Sequence, residues 1–218
     1  MNRLIFTCIF FLIVCFTGVW AALTSREPDF PLRKIISVPK KTRTRPAPGV
    51  VLAKLNLKVA SLIRYCKTRH YNSAVCFMVD ISLHPGKHRF FVYSLKRHSV
   101  LATGLVTHGA GSITANGKLV FSNKPGSNST SIGKYSIGKK YYGRFGLAYK
   151  LHGLDASNNK AFDRAVVLHA HSGVPEAEVY PLTICASLGC PTVSVPFLQT
   201  LKLYIESSTQ PVLLYIYN

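Results

Sequence analysis

The hydrophobic pattern of the chain changes period twice. Leu4 to Val19 is an almost unbroken apolar run. Between residues 50 and 72, Val51, Leu52, Leu55, Val59, Leu62, Ile63 and Cys66 recur at helical spacing, with Lys54, Lys58 and Lys67 among them. This pattern predicts an amphipathic helix packed on the remainder of the domain. From Ala74 the apolar segments become short and rich in Val, Ile, Thr, Tyr and Phe, which predicts strands. Val75–Leu83 and His88–Leu95 flank the turn sequence His84-Pro85-Gly86-Lys87 and predict a hairpin. Further strands are predicted at Val100–Thr107, Lys118–Phe121, Gly133–Ile137, Leu147–Leu151, Val166–His169 and Val212–Tyr217, with a short helix at Pro196–Glu206. The fold class is mainly β, a sandwich or small barrel with one N-terminal packing helix and one short C-terminal helix.

The N-terminal run defines the compartment. Met1-Asn2-Arg3 is a short basic head, and Val19-Trp20-Ala21 places small residues where a signal peptidase cleaves. Residues 1–21 are therefore expected to be a signal peptide. A retained anchor is the alternative, because the run extends through Leu23 and approaches the roughly 20 residues of a membrane span. Residues 22–49 are rich in Pro, Lys and Arg and predict an extended tether. The remaining residues, 50–218, suit one domain. The domain is expected to be periplasmic or otherwise exported.

The formal net charge is +19, and residues 1–21 contribute only Arg3 to it. Such a surplus points to a polyanionic neighbourhood. Export excludes nucleic acid and favours anionic wall polymer or membrane surface, with simple solubility as the bland alternative. Six cysteines are present: Cys8 and Cys15 in the signal, then Cys66, Cys76, Cys185 and Cys190. An oxidising compartment permits disulfides, and four cysteines allow three full pairings. Cys66–Cys76 bridged, or both reduced, is expected, with Cys190 free.

The candidate chemistry lies near the C-terminus. Val166-Val167-Leu168-His169-Ala170-His171 is an apolar run ending in histidines, and Ser187-Leu188-Gly189-Cys190-Pro191 comes after it. A cysteine nucleophile needs a base, access to substrate and oxyanion donors. A strand-end His169 and a loop Cys190 preceded by Gly189 can supply them. Each residue also has a structural explanation, as a core histidine or a tight turn. His169, His171 and Cys190 could instead ligate zinc, but no recognised zinc-hydrolase spacing is present; neither metal nor cofactor is expected.

The stretch from His108 to Val193 resembles the L,D-transpeptidase catalytic domain (YkuD-like) family, in its Gram-negative branch with a Ser-x-Gly-Cys-Pro motif. The resemblance rests on ordered blocks: His108-Gly109 with Gly111-Ser112, Phe121-Ser122-Asn123, Pro125-Gly126-Ser127, Ser131 to Tyr135, Tyr142 to Gly146, Leu151 to Leu154, then Asn159, Ala161 and Arg164, Val166 to His169, and Ser187 to Pro191. It implies a β-sandwich-like catalytic fold and acyl transfer on peptidoglycan stem peptides. In that reaction Cys190 attacks the L,D-peptide bond, D-Ala leaves, and an amine resolves the thioester. His169 is implied as base, Ser187 as the hydroxyl of the nucleophile loop and Gly189 as part of the oxyanion site. His108, Tyr142, Ser122, Asn123 and His171 are expected to face substrate. Leu188, Ala186 and Ala170 depart from the commoner His, Arg and Gly at those places, which bears on substrate preference. An L,D-carboxypeptidase using water and a non-catalytic wall-binding module are the alternatives.

Overall fold

The structure is a computed structural model that describes residues 49–218. The segment expected as a signal peptide, 1–21, and all but the last residue of the expected tether, 22–49, lie outside the described residues; Gly49 already belongs to the first helix. Helix α1 spans Gly49–Thr68. Its stripe of Leu55, Val59, Leu62 and Cys66 is at most 2% exposed. Burying each such side chain contributes about 1.5–3 kcal/mol. The helix stops four residues short of the expected end because His70 adopts a left-handed φ of 58°, and the Tyr71 N–H turns back to Cys66 O at 2.9 Å.

Eight strands form one sheet: β1 Val75–Asp80, β2 Phe90–Ser94, β3 Ser99–Gly104, β4 Gly133–Gly143, β5 Gly146–Gly153, β6 Val167–Ala170, β7 Thr192–Val193 and β8 Leu213–Tyr217. Their order is β3-β2-β1-β8-β4-β5-β6-β7. β8 runs parallel to β1 and antiparallel to β4. Past β3 the chain crosses to the far edge, where Val106 bridges Val193 and the Thr107 N–H donates to Thr192 O at 2.9 Å. The sheet therefore curls toward a small barrel, within the expected class.

Two apolar clusters occupy the two faces. One gathers Phe77, Val92, Tyr135, Leu168, Val193 and Leu214 with helix α2, Val195–Glu206. The other gathers Cys66, Cys76, Met78, Phe91 and Leu213 beneath α1. Ser194 caps α2 by accepting from the Phe197 N–H, satisfying a donor that the helix itself leaves unpaired. Lys118–Phe121, expected as a strand, forms only the bridge Ile113↔Leu119. Gly117, at φ 76°, turns the chain directly before it, and no neighbour continues the ladder.

Candidate active site

β6 carries His169 between β5 and β7. In register, Ala148 lies opposite His169 on one side and Thr192 on the other. Alternation sends Leu168 and Ala170 into the core and His169 to the opposite face. The imidazole Nδ1 lies 3.0 Å from Ala170 O, and Nε2 lies 3.0 Å from Thr192 Oγ1. A carbonyl only accepts, so the Nδ1–H donates to Ala170 O and Nε2 carries the lone pair. Burial, followed by the neighbouring His171, holds the His169 pKa below the usual histidine range despite the opposing carbonyl.

The nucleophile loop is shaped by Gly189. Its φ is +114°, and a Cβ there would stand 2.9 Å from Ser129 O, so a side chain is excluded both by conformation and by space. The Ser187 hydroxyl donates to Cys190 O at 2.6 Å and accepts from the Gly189 N–H at 3.1 Å, which closes the turn. From the neighbouring segment the Thr107 hydroxyl donates to Cys190 O at 3.2 Å and accepts from the Thr192 N–H at 3.1 Å. The Ser187 N–H donates to His108 O, and the Ala110 N–H to Ser187 O.

Cys190 is half-buried. Its sulfur accepts from the Val167 N–H at 3.4 Å and lies 3.9 Å from Ala165 O. Burial raises the thiol pKa, outweighing the opposing Val167 N–H and Arg164 charge. Arg164 braces the loop beneath: its guanidinium donates to Ser129 O at 2.6 Å and to Ser122 O at 2.8 Å. The sulfur rests on the strand that carries His169, but no hydrogen bond joins the two; Nε2 is engaged by Thr192. Burial disfavours the charged form of both groups, the thiolate and the imidazolium alike. Alkylation of Cys190 by iodoacetamide is therefore expected to be slower at pH 7 than for an exposed cysteine such as Cys185. Its rate should still climb above pH 9, because the thiolate is the nucleophile. A plateau near pH 7, read by mass spectrometry of the labelled peptide, would contradict this.

The other sequence-predicted residues divide. His171 is exposed; its Nδ1 accepts from the Gly173 N–H at 3.0 Å, and its ring meets Phe145 edge-on at 6.0 Å. Tyr142, 76% exposed, sits near the tip of the β4–β5 hairpin. Asn123 holds the loop to its neighbour, donating to Asn159 Oδ1 at 2.7 Å and accepting from the Lys160 N–H. The Ser122 hydroxyl accepts from the Lys124 N–H at 3.2 Å. His108, expected to face substrate, does not line the surface. It is 3% exposed, and its Nδ1 accepts from the buried Arg89 Nη2 at 2.9 Å. Burial, then the Arg89 charge, brings its pKa down to about 4. Thr192, Thr107, Arg164 and Phe145 escaped sequence reasoning as site residues. Thr192 had one available signal, its place two residues past Cys190.

The four described cysteines are free. Cys66 and Cys76 are buried in one cluster, and burial raises the Cys66 thiol to about 11. The Cys185 thiol lies 3.7 Å from Gly173 O. Among the described residues no group of three or more His, Cys, Asp or Glu could hold a metal ion, and no helix is long and apolar enough to cross a membrane.

A family described as L,D-transpeptidase catalytic domain matches residues 48–217. No curated protein matches. Among solved structures, an L,D-transpeptidase from Mycobacterium smegmatis is 13% identical with a TM-score of 0.39, over 66% of this chain and 59% of that one. The L,D-transpeptidase from Xylanimonas cellulosilytica is 14% identical with a TM-score of 0.37, over 71% and 68%. The helical cell shape determining protein Pgp2 from Campylobacter jejuni is 12% identical with a TM-score of 0.39, over 68% and 49%. The chain thus spans about half to two thirds of the length of the structures it matches. With the family covering the helix, the sheet and the cysteine loop alike, the chain belongs to the L,D-transpeptidase catalytic domain family.

Proposed function

We propose that the protein is an exported peptidoglycan-modifying enzyme that performs L,D-transpeptidation through a Cys190 thioester. The observation that carries this reading is the seat of the thiol. A glycine-shaped turn sets it on the Val167 N–H, on the strand that bears His169. The Cys190 N–H makes no hydrogen bond among the described residues and is a candidate oxyanion donor.

The steps build on the resting contacts. The Thr192 O–H turns from Nε2 toward Cys190 O, 3.5 Å away, which leaves the Nε2 lone pair for the thiol proton. The sulfur attacks the carbonyl of an L,D-peptide bond. The imidazolium returns its proton to the departing D-Ala nitrogen as the C–N bond breaks and the thioester remains. An amine of a second stem peptide then attacks the thioester carbonyl and gives a proton to His169; the new amide bond forms as the C–S bond breaks, and the imidazolium returns that proton to the departing sulfur. Gly189 shapes the oxyanion turn and Ser187 closes it. His171 and Tyr142, both exposed, stand where a stem peptide would approach; Ser122 and Asn123 act through the loop they hold. A basic surface suits anionic wall polymer.

Intact-mass spectrometry of the reduced, folded protein after exposure to a carbapenem tests the reading. One covalent adduct is expected, mapping to Cys190. No adduct, or an adduct on Cys185 alone, removes the mechanism. Omitting reductant reports whether a Cys185–Cys190 bridge forms and blocks the reaction.

A further inference from the structure

The β4–β5 hairpin ends in Arg144-Phe145, between the paired glycines Gly143 and Gly146. Gly146, directly after the tip, takes a φ of +77°, a conformation that glycine adopts without strain. Polar residues dominate turns of this kind, yet Phe145 places a bare ring there, 53% exposed. That ring stacks on the His169 imidazole, with centroids 4.9 Å apart and planes at 21°. The imidazole beneath is only 7% exposed. A solvent-facing apolar side chain thus covers the ring face of the one histidine that stands on the thiol's strand.

We propose that Phe145 is the positioning residue of the base, a cap that keeps the His169 imidazole dry and fixes its plane so that Nε2 points at Thr192 and the Cys190 loop. This rests on the reading of His169 as base. Besides the Thr192 hydroxyl at Nε2, two contacts fix the imidazole plane here. The Ala170 carbonyl anchors one edge and the Phe145 face prevents the ring from swinging outward. Excluding water from one face disfavours the imidazolium, consistent with the direction in which the His169 pKa is displaced. The charged and titratable groups around it are few. His171 comes next but one on the same chain and meets Phe145 edge-on. Arg144, on the hairpin, lies 5.7 Å from the Phe145 ring. On β5 the residue opposite His169 is Ala148, and Lys150 lies further along, opposite Val167. Cys190 meets the same strand at Val167, two residues before His169. Burial and the charge of His171 both hold the midpoint down, so opening the cap to water and salt weakens both, and both effects move the midpoint upward.

The test is the titration of His169 by NMR of the imidazole carbons, with Cys190 turnover measured against pH. Phe145→Ala is expected to raise the His169 midpoint by about one pH unit, tenfold in the protonation equilibrium. Turnover should then fall several-fold at pH 8, where the ring is neutral in both proteins but no longer held in plane, and by up to about a further tenfold below the parent midpoint. Phe145→Leu, which keeps an apolar hairpin tip without a flat ring, should shift the midpoint part of the way. Phe145→Tyr should leave it in place. A His169 midpoint within about 0.2 units of the parent in both the Ala and the Leu variants overturns the proposal, as does a Tyr variant that shifts as far as Ala. The midpoint is measured without substrate. A shifted midpoint with turnover that survives Cys190→Ala therefore keeps the cap and removes the acyl-transfer reading.

Discussion

Exchange of Cys190 for alanine is expected to lower turnover of a disaccharide-tetrapeptide substrate by at least about a thousandfold while leaving its binding nearly unchanged. In the proposed mechanism alanine removes the sulfur that forms the thioester, and covalent catalysis has no partial substitute at that position. The exchange does not disturb the turn. Ser187 and Thr107 hold the Cys190 carbonyl, not its side chain, and Gly189 keeps its φ of +114°. The variant should therefore melt within about 2 °C of the parent, since the thiol gives up only long contacts with the Val167 N–H and Ala165 O. Product formation measured by liquid chromatography, beside equilibrium binding of the same substrate, separates the outcomes. Undiminished turnover removes Cys190 from the mechanism. Loss of binding together with turnover turns the chain toward a wall-binding module whose ligand contacts the loop.

Arg89→Ala is expected to cost about 3–5 kcal/mol of stability, the range for breaking a buried charged network. That is a large share of the roughly 5–15 kcal/mol of an ordinary domain. Arg89 is fully buried. Nε and Nη2 both donate to Val106 O, at 3.0 and 2.7 Å, Nη1 donates to Leu83 O at 3.2 Å, and Nη2 also reaches His108 Nδ1. Burial lowers its pKa to about 10, which leaves it charged at pH 7. The nearby Asp80 supports that charge; its Oδ1 is shared by Lys54 and Ser82, and its buried Oδ2 has no partner among the described residues. Alanine would strand two carbonyls and that carboxylate, and leave a cavity. Val106 and His108 flank Thr107, whose hydroxyl holds the Cys190 carbonyl, so activity should fall with stability. Urea unfolding measures the effect; a change below about 1 kcal/mol would mean that water replaces the guanidinium at little cost.

The sequence discloses its fold unevenly. The α1 stripe is legible because Leu55, Val59, Leu62 and Cys66 all face one surface, and burial of a single face writes a period. β1 and β2 are legible for a different reason: both are buried through most of their length and read as continuous apolar runs. β4 runs on past the predicted end at Ile137 to Gly143. Lys139, Lys140, Tyr141 and Tyr142 are exposed there, so no alternation marks them as strand. The two-residue β7 is held by partners far away in sequence and has no pattern of its own. Among candidate site residues, Cys190 and His169 carry a local signature. The contact of His169 with Thr192 and its cover by Phe145 are products of register and hairpin length, which no short window contains. His108 misleads because a histidine beside glycine looks like a loop residue. In the fold it is buried against Arg89, which follows Lys87 and His88 at the head of an apolar run.

The position of the last strand has a consequence for how the domain comes into being. β3, β2 and β1 form one half of the sheet and β4 to β7 the other, and hydrogen bonding passes between the halves through Leu213–Tyr217. Until that segment is delivered, by synthesis or by translocation, β1 and β4 each present an open edge ready to recruit a foreign strand. The thiol-bearing half starts from the β4–β5 hairpin and closes on itself through the parallel β6–β7 pair, but it waits for a late keystone before it shares a sheet with the Arg89 half. A chain cut before Leu213 should therefore accumulate as aggregate and not as a smaller active enzyme.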